Sequence, residues 1–286
     1  MGHSFFYGEI MSGMVVIYDK VGVSPFCSSL TRNQIHMLID DRKYSVQLFS
    51  ETTFDDSKPV PLFVVPGGSY MEMEKELKAH ADSIRKLVLG GGSYLGICAG
   101  AIAASCHPLL VAEETLRLTE SDSKTQRLFS SGIPTHLRLY SGFCALAEFP
   151  GSSLYGVQEA RTEGGASSPF FFKNGVFFPN LARQLNACRL LSYQSLNYSW
   201  EYPAPPYRFL DETPSVAALT QRVLDGRIVL SGLHPEIGAE SVETFPVEKS
   251  QEQEAKVRTI DALRGSEAHR NQTMRLFLQT LGIATK

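Results

Sequence analysis

"GSYLGICAGAIAAS", residues 92–105, sets a short apolar run against an alanine-rich stretch, with one cysteine at the seam. Gly96, Cys98 and Gly100 make G-x-C-x-G, the cysteine form of the nucleophile elbow, a sharp strand-to-helix turn that presents a reactive side chain. Glycines two residues before and after the cysteine let so tight a bend close. The motif needs a buried strand ahead of it and a helix behind it. The sequence predicts both: "SYLGIC" reads as an apolar strand, and the small residues of "AGAIAAS" let a helix pack closely on a sheet. A thiol at the start of that helix meets free N–H groups and the positive end of the helix dipole, which favour thiolate over thiol.

Outward from the elbow, strands alternate with helices. "MVVIYDK" (14–20) is a β-branched strand, and "SSLTRNQIHMLID" (28–40) puts Leu30, Ile35, Leu38 and Ile39 near helical spacing. "YSVQLFS" (44–50) alternates at period two, and "PLFVVPGGS" (61–69) is a continuous apolar strand closing on Pro-Gly-Gly. "MEMEKELKAHADSIRKLVLGGG" (71–92) carries Met73, Leu77, Ile84, Leu87 and Val88 on one helical stripe and ends in glycines. Such alternation predicts an α/β fold, a doubly wound, mostly parallel sheet with helices on both faces.

Between about 107 and 210 the pattern loosens into expected hairpins and long loops, including an aromatic hairpin at "FFFKNGVFF" (170–178). "SVAALTQRVLDGRIVLSGLHPEIG" (215–238) reads as two strands joined by an Asp-Gly turn, and residues from about 250 to 282 as helical. With no repeat and no linker, residues 1–286 read as one domain, its motif-bearing core at about 14–240.

Charge and cysteine usage remove several function classes. The 27 basic and 30 acidic residues nearly balance, with no basic stripe for nucleic acid. No stretch approaches the roughly 20 apolar residues that span a bilayer, and the N-terminus lacks a basic leader, so the expected location is cytoplasmic. Phe6 stands where a myristoylation signal needs Ser or Thr. Cysteines 27, 98, 106, 144 and 188 form no C-x-x-C pair, which argues against a zinc knuckle or a disulfide framework. No metal or cofactor is expected. "NYS" at 197 and "NQT" at 271 are read as surface asparagines.

A thiolate nucleophile needs a base, and the base needs an orienting partner. In "SGLHPEIG", Pro235 biases His234 away from helix, and in extended chain Glu236 faces the same way as His234. The other histidines are read as bystanders: His80 solvated on a charged helix, His36 and His136 without partners, and His107 too close in sequence to pair with Cys106. The acidic stretch 113–123 reads as solvated. Gly67 and Gly68 can bring backbone N–H groups to a developing negative charge, with Ala99 N–H as the second donor of an oxyanion hole.

"VVPGGS", "GGGSYLGICAG" and "LSGLHPE" together resemble class I glutamine amidotransferases, whose G-x-C-x-G nucleophile and H-P-E pair form a Cys-His-Glu triad. With "VVIYDKVGVSP" near the start, the chain is most similar to the N-terminal amidotransferase-like domain of biotin-protein ligases. The resemblance covers roughly residues 14–240. It implies a flavodoxin-like fold, with Cys98 as nucleophile, His234 as base and Glu236 as its orienting partner. Only an isolated "DGR" at 225–227 stands in for an adenylate loop, so biotinylation by this chain is not expected. The expected activity is attack on a carboxamide or related carbonyl of a small molecule, with a synthetase or ligase subunit as partner. A non-catalytic regulatory or binding module and an intracellular peptidase are the alternatives.

Overall fold

The computed structural model describes residues 13–52, 60–111, 136–147, 156–162, 165–173, 176–178, 187–194, 216–245 and 250–286. The acidic stretch 113–123, the first glycosylation-like site and the Pro/Tyr-rich segment after it lie outside these, as do the Cys106 and His107 side chains.

The first half alternates as its periodicity predicts: β1 (Gly13–Ile17), α1 (Pro25–Leu38), β2 (Tyr44–Leu48), β3 (Leu62–Val65), α2 (Tyr70–Leu89), β4 (Ser93–Ile97) and α3 (Ala99–Ala104). Then come β5 (Ser105–Val111), β6 (Tyr140–Ala147), β7 (Gly156–Arg161), β8 (Ser167–Phe172), β9 (Val176–Phe177), β10 (Cys188–Tyr193), β11 (Val216–Val223) and β12 (Gly226–Ser231). Three helices close the chain, α4 (Ala239–Glu243), α5 (Ser250–Leu263) and α6 (Glu267–Thr280).

A nine-stranded sheet runs β2-β1-β3-β4-β12-β11-β10-β7-β8. Its first five strands are parallel, in the doubly wound order that starts at β1 and winds outward both ways. From β12 onward every pairing is antiparallel. A second sheet, β5-β6-β9, joins it through a bridge between Phe178, just after β9, and Val216 of β11.

Both faces of the parallel half are covered, which is why β3 is apolar throughout. Val16, Phe63, Val65 and Tyr94 pack with Met73, Leu77, Ile84 and Val88 of α2 and the alanines of α3. Val15, Ile17, Leu62, Val64, Leu95 and Ile97 point the other way, onto Ile35 and Leu38 of α1 and Met274, Phe277 and Leu278 of α6. Each fully buried side chain of this size contributes about 1.5–3 kcal/mol.

Two local expectations are corrected, and the helical expectation for the C-terminal segment is met. The 170–178 stretch is not one hairpin, because β8 pairs with β7 in the large sheet while β9 pairs with β6 in the small one. The β11–β12 turn is Leu224-Asp225, with Val223 paired to Gly226; Gly226 is pressed against Val88 O and belongs to the ladder, so exposed Leu224 takes the positive φ of 53°. The C-terminal helical segment is two helices, broken at Gly265, whose φ is +77°. No helix among the described residues is long and apolar enough to cross a membrane.

Candidate functional site

Strands β3, β4 and β12 are parallel neighbours in register, Val65 beside Gly96 and Ser231 beside Ile97. Their carboxyl ends therefore release Pro66-Gly67, Cys98 and Gly232–His234 at one edge of the sheet. The three motifs converge because their strands do.

Cys98 occupies the turn itself, with φ 52° and ψ −107°, a conformation costly for a residue with a side chain. The predicted glycines are required sterically. A Cβ on Gly100 would fall 2.0 Å from Val65 O, and one on Gly96 would fall 2.7 Å from Gly100 O. Tyr94, fully buried beneath, donates its hydroxyl to Gly100 O at 2.7 Å. The following helix, α3, has only six residues before the chain turns into β5, shorter than the alanine run suggests.

His234 Nδ1 lies 2.7 Å from Glu236 Oε1, and both residues are buried. Main-chain contacts hold the pair: His234 N–H donates to Phe171 O at 3.2 Å, and the Phe171 ring meets the imidazole edge-on at 5.7 Å. Pro235 O, between them, accepts from Gln34 Nε2 of α1 at 3.1 Å and Arg270 Nη1 of α6 at 3.0 Å. The thiols of Cys98 and Cys27 favour the charged form of the imidazole. Burial works against a charged ring, but the Glu236 carboxylate and then the two thiols outweigh it and hold His234 well above its ordinary value of 6.5.

Gly67 faces this ring: a Cβ there would fall 2.5 Å from His234 Cε1. The segment is fixed from the other side, where Ser24 N–H donates to Gly67 O and Ser69 N–H to Gly22 O, at 3.1 and 2.6 Å. Gly68 is the bridged partner of Val23 in this pairing. Ala99 follows Cys98 as the first residue of α3.

Sequence reasoning missed Cys27, in the first turn of α1, only 8% exposed. Cys27 Sγ, a ring nitrogen of His234 and a carboxylate oxygen of Glu236 lie within 4.8 Å of one another, a set able to hold a metal ion. Also missed was the backbone after β8, where Lys173 O sits 3.9 Å from Cys98 Sγ. His136, read as partnerless, bonds through Nδ1 to buried Glu74 at 2.5 Å, and His80 stacks edge-on against Phe49 at 4.9 Å. Asn271 is half-buried and accepts from Gln34 at 2.9 Å rather than standing free on the surface.

The family described as "Biotin-protein ligase, N terminal" matches residues 13–127 and 169–286. The chain belongs to this family. Its matched residues span Cys27, Gly67, Cys98, His234, Glu236 and Arg270. Among curated proteins, a biotin-protein ligase of Schizosaccharomyces pombe (strain 972 / ATCC 24843) is 27% identical over 240 residues, covering 79% of this chain. The chain spans about a third of that relative's length, 34%. Among solved structures, a glutamine amidotransferase from Thermotoga maritima aligns over 94% of this biotin-protein ligase N-terminal relative and 97% of its own chain, with a TM-score of 0.54 at 14% identity. That likeness is one of fold, and it fits the glutamine amidotransferase-like architecture described above.

Proposed function

We propose that the chain is an amidotransferase-like thiol enzyme that acts on a carboxamide or related carbonyl of a small molecule. The observation that carries this reading is the placement of His234, bonded to Glu236 through Nδ1 and released at the end of β12, next to the β4 end that carries Cys98. His234, its charged form favoured by Glu236, holds the proton taken from the Cys98 thiol while the sulfur attacks the carbonyl carbon. The N–H groups of Gly67, Gly68 and Ala99 hold the oxyanion. His234 then returns the proton to the departing nitrogen, ammonia or an amine leaves, and water activated by the same imidazole releases the acid from the thioester. Glu236 keeps the ring oriented and balances its charge throughout.

The Schizosaccharomyces pombe relative is a biotin-protein ligase, which supports a ligase subunit as the partner that uses the product. The test is ammonia release from glutamine, asparagine and simple primary amides by wild type and Cys98→Ser, alone and with added ligase subunit. Release by wild type that is lost in Cys98→Ser supports the reading. Equal release by both proteins, or none under either condition, overturns it.

A second reading, a regulatory module that binds its ligand without turnover, draws on the burial of Cys98, which is 7% exposed. It predicts saturable binding of the same amides that survives Cys98→Ala.

A further inference from the structure

Cys27 has no part in the amide chemistry, yet it shares one buried cluster with His234 and Glu236, their donor atoms within 4.8 Å of one another. The cluster joins the first turn of α1 to the loop after β12, segments about two hundred residues apart in sequence. We propose that Cys27, His234 and Glu236 form a binding site for a thiophilic divalent cation, zinc in its chemistry, with the Cys27 thiolate as anchoring ligand.

The donor set selects the ion. Sulfur, imidazole nitrogen and carboxylate oxygen are the ligands zinc takes, whereas magnesium and calcium require oxygen cages. A thiolate and a carboxylate together carry two negative charges, so a bound divalent ion leaves the buried cluster neutral. Neutrality matters at a site where uncompensated charge is costly.

A separate observation points to the same ligand. Glu236 Oε2 is buried with no hydrogen-bond partner among the described residues. A buried carboxylate oxygen in that state costs free energy, and a cation beside Cys27 satisfies it. As the metal binds, Cys27 gives up its thiol proton and His234 its second ring proton to solvent.

Binding has a consequence for the proposed enzyme. An ion on His234 and Glu236 takes away the base that Cys98 needs, so the loaded protein is silent toward amides. The metal site itself does not require Cys98 to be a nucleophile; only its effect on activity rests on that reading.

Cobalt(II) is the probe, added to the reduced full chain and read by absorption, which needs no turnover. The expected result is one equivalent bound, with a thiolate-to-cobalt charge-transfer band in the near ultraviolet and displacement by zinc. Cys27→Ser removes the band and weakens zinc binding by at least about 100-fold, while Cys98→Ser and Cys144→Ser keep both. A parallel measurement needs no variant: zinc slows alkylation of Cys27 in the wild type and leaves exposed Cys188 unchanged. The proposal is overturned by a wild type without the band, by a band that persists in Cys27→Ser, by a band lost in Cys98→Ser alone, or by Cys27 alkylation indifferent to zinc.

Discussion

Cys98 donates its backbone N–H to Ser231 O at 2.7 Å, so the nucleophile elbow is tied directly to the strand that delivers the histidine. Ser231 also shapes the chain beyond β12: its buried hydroxyl donates to Leu233 O at 2.9 Å and accepts from Leu233 N–H at 3.1 Å. One serine thus fixes both the separation of the two motifs and the turn that leads into His234. Ser231→Ala keeps the carbonyl contact but strands two buried backbone groups of Leu233. Urea denaturation is expected to show a loss of about 1–3 kcal/mol, with activity falling alongside.

The contact between Gly67 and the His234 ring predicts a functional lesion at a glycine. Gly67→Ala places a methyl group 2.5 Å from Cε1, and a ring can swing away, so the fold survives while the base moves. The expected outcome is about 1–3 kcal/mol of lost stability and at least about a tenfold fall in kcat/KM. Gly100→Ala instead drives a methyl group to 2.0 Å from the Val65 carbonyl, a backbone atom at the end of β3. Thermal unfolding should show the larger loss there, about 3 kcal/mol or more.

Arg270 and Gln34 both donate to Pro235 O, at the centre of the H-P-E segment. Arg270 is itself anchored through Nε to Ser266 Oγ at 3.2 Å. Arg270→Met removes one of two donors and the cation near Glu236, and should lower kcat by about tenfold to about 100-fold by letting the dyad drift. Arg270→Lys, which keeps the charge but cannot reach in the same planar manner, is expected to recover part of that loss.

The raised His234 value gives a pH dependence of definite sign. Because its folded-state value lies above the ordinary 6.5, its contribution to stability is complete below about 6.5 and is lost as pH rises through the folded value. Imidazole resonances of His234 in histidine-labelled protein should titrate above 6.5, and Glu236→Gln should bring the titration down. The stability advantage of wild type over Glu236→Gln should be full in mild acid and shrink toward alkaline pH. A His234 titration at or below the ordinary value contradicts the electrostatic account.

The sequence made the site legible wherever chemistry and local geometry coincide in a few residues. The elbow glycines, the Pro-Gly-Gly turn and H-P-E each sit at a strand end, and parallel neighbours deliver strand ends to one edge, so their meeting followed from the alternation of elements. Cys27, Phe171, Lys173 and Arg270 were not legible in that way. Each reaches the site through tertiary packing of an element whose own pattern speaks only of burial, and Cys27 lies about two hundred residues from the histidine it contacts. The same reason hid the His136–Glu74 pair, 62 residues apart. The split of "FFFKNGVFF" between two sheets is a choice of partners, which strand-forming composition does not encode.

The central claim is that Cys98 is a nucleophile activated by His234, and cysteine-resolved alkylation rates measure it most directly. Exposure alone ranks Cys188 first, since Cys27, Cys98 and Cys144 are buried, and burial pushes the Cys144 thiol up to about 12. At neutral pH, Cys98 is predicted to react faster than exposed Cys188, and to slow by at least about tenfold in His234→Ala. A wild type in which Cys188 reacts first and Cys98 lags with Cys144, or a Cys98 rate unchanged by His234→Ala, would contradict it.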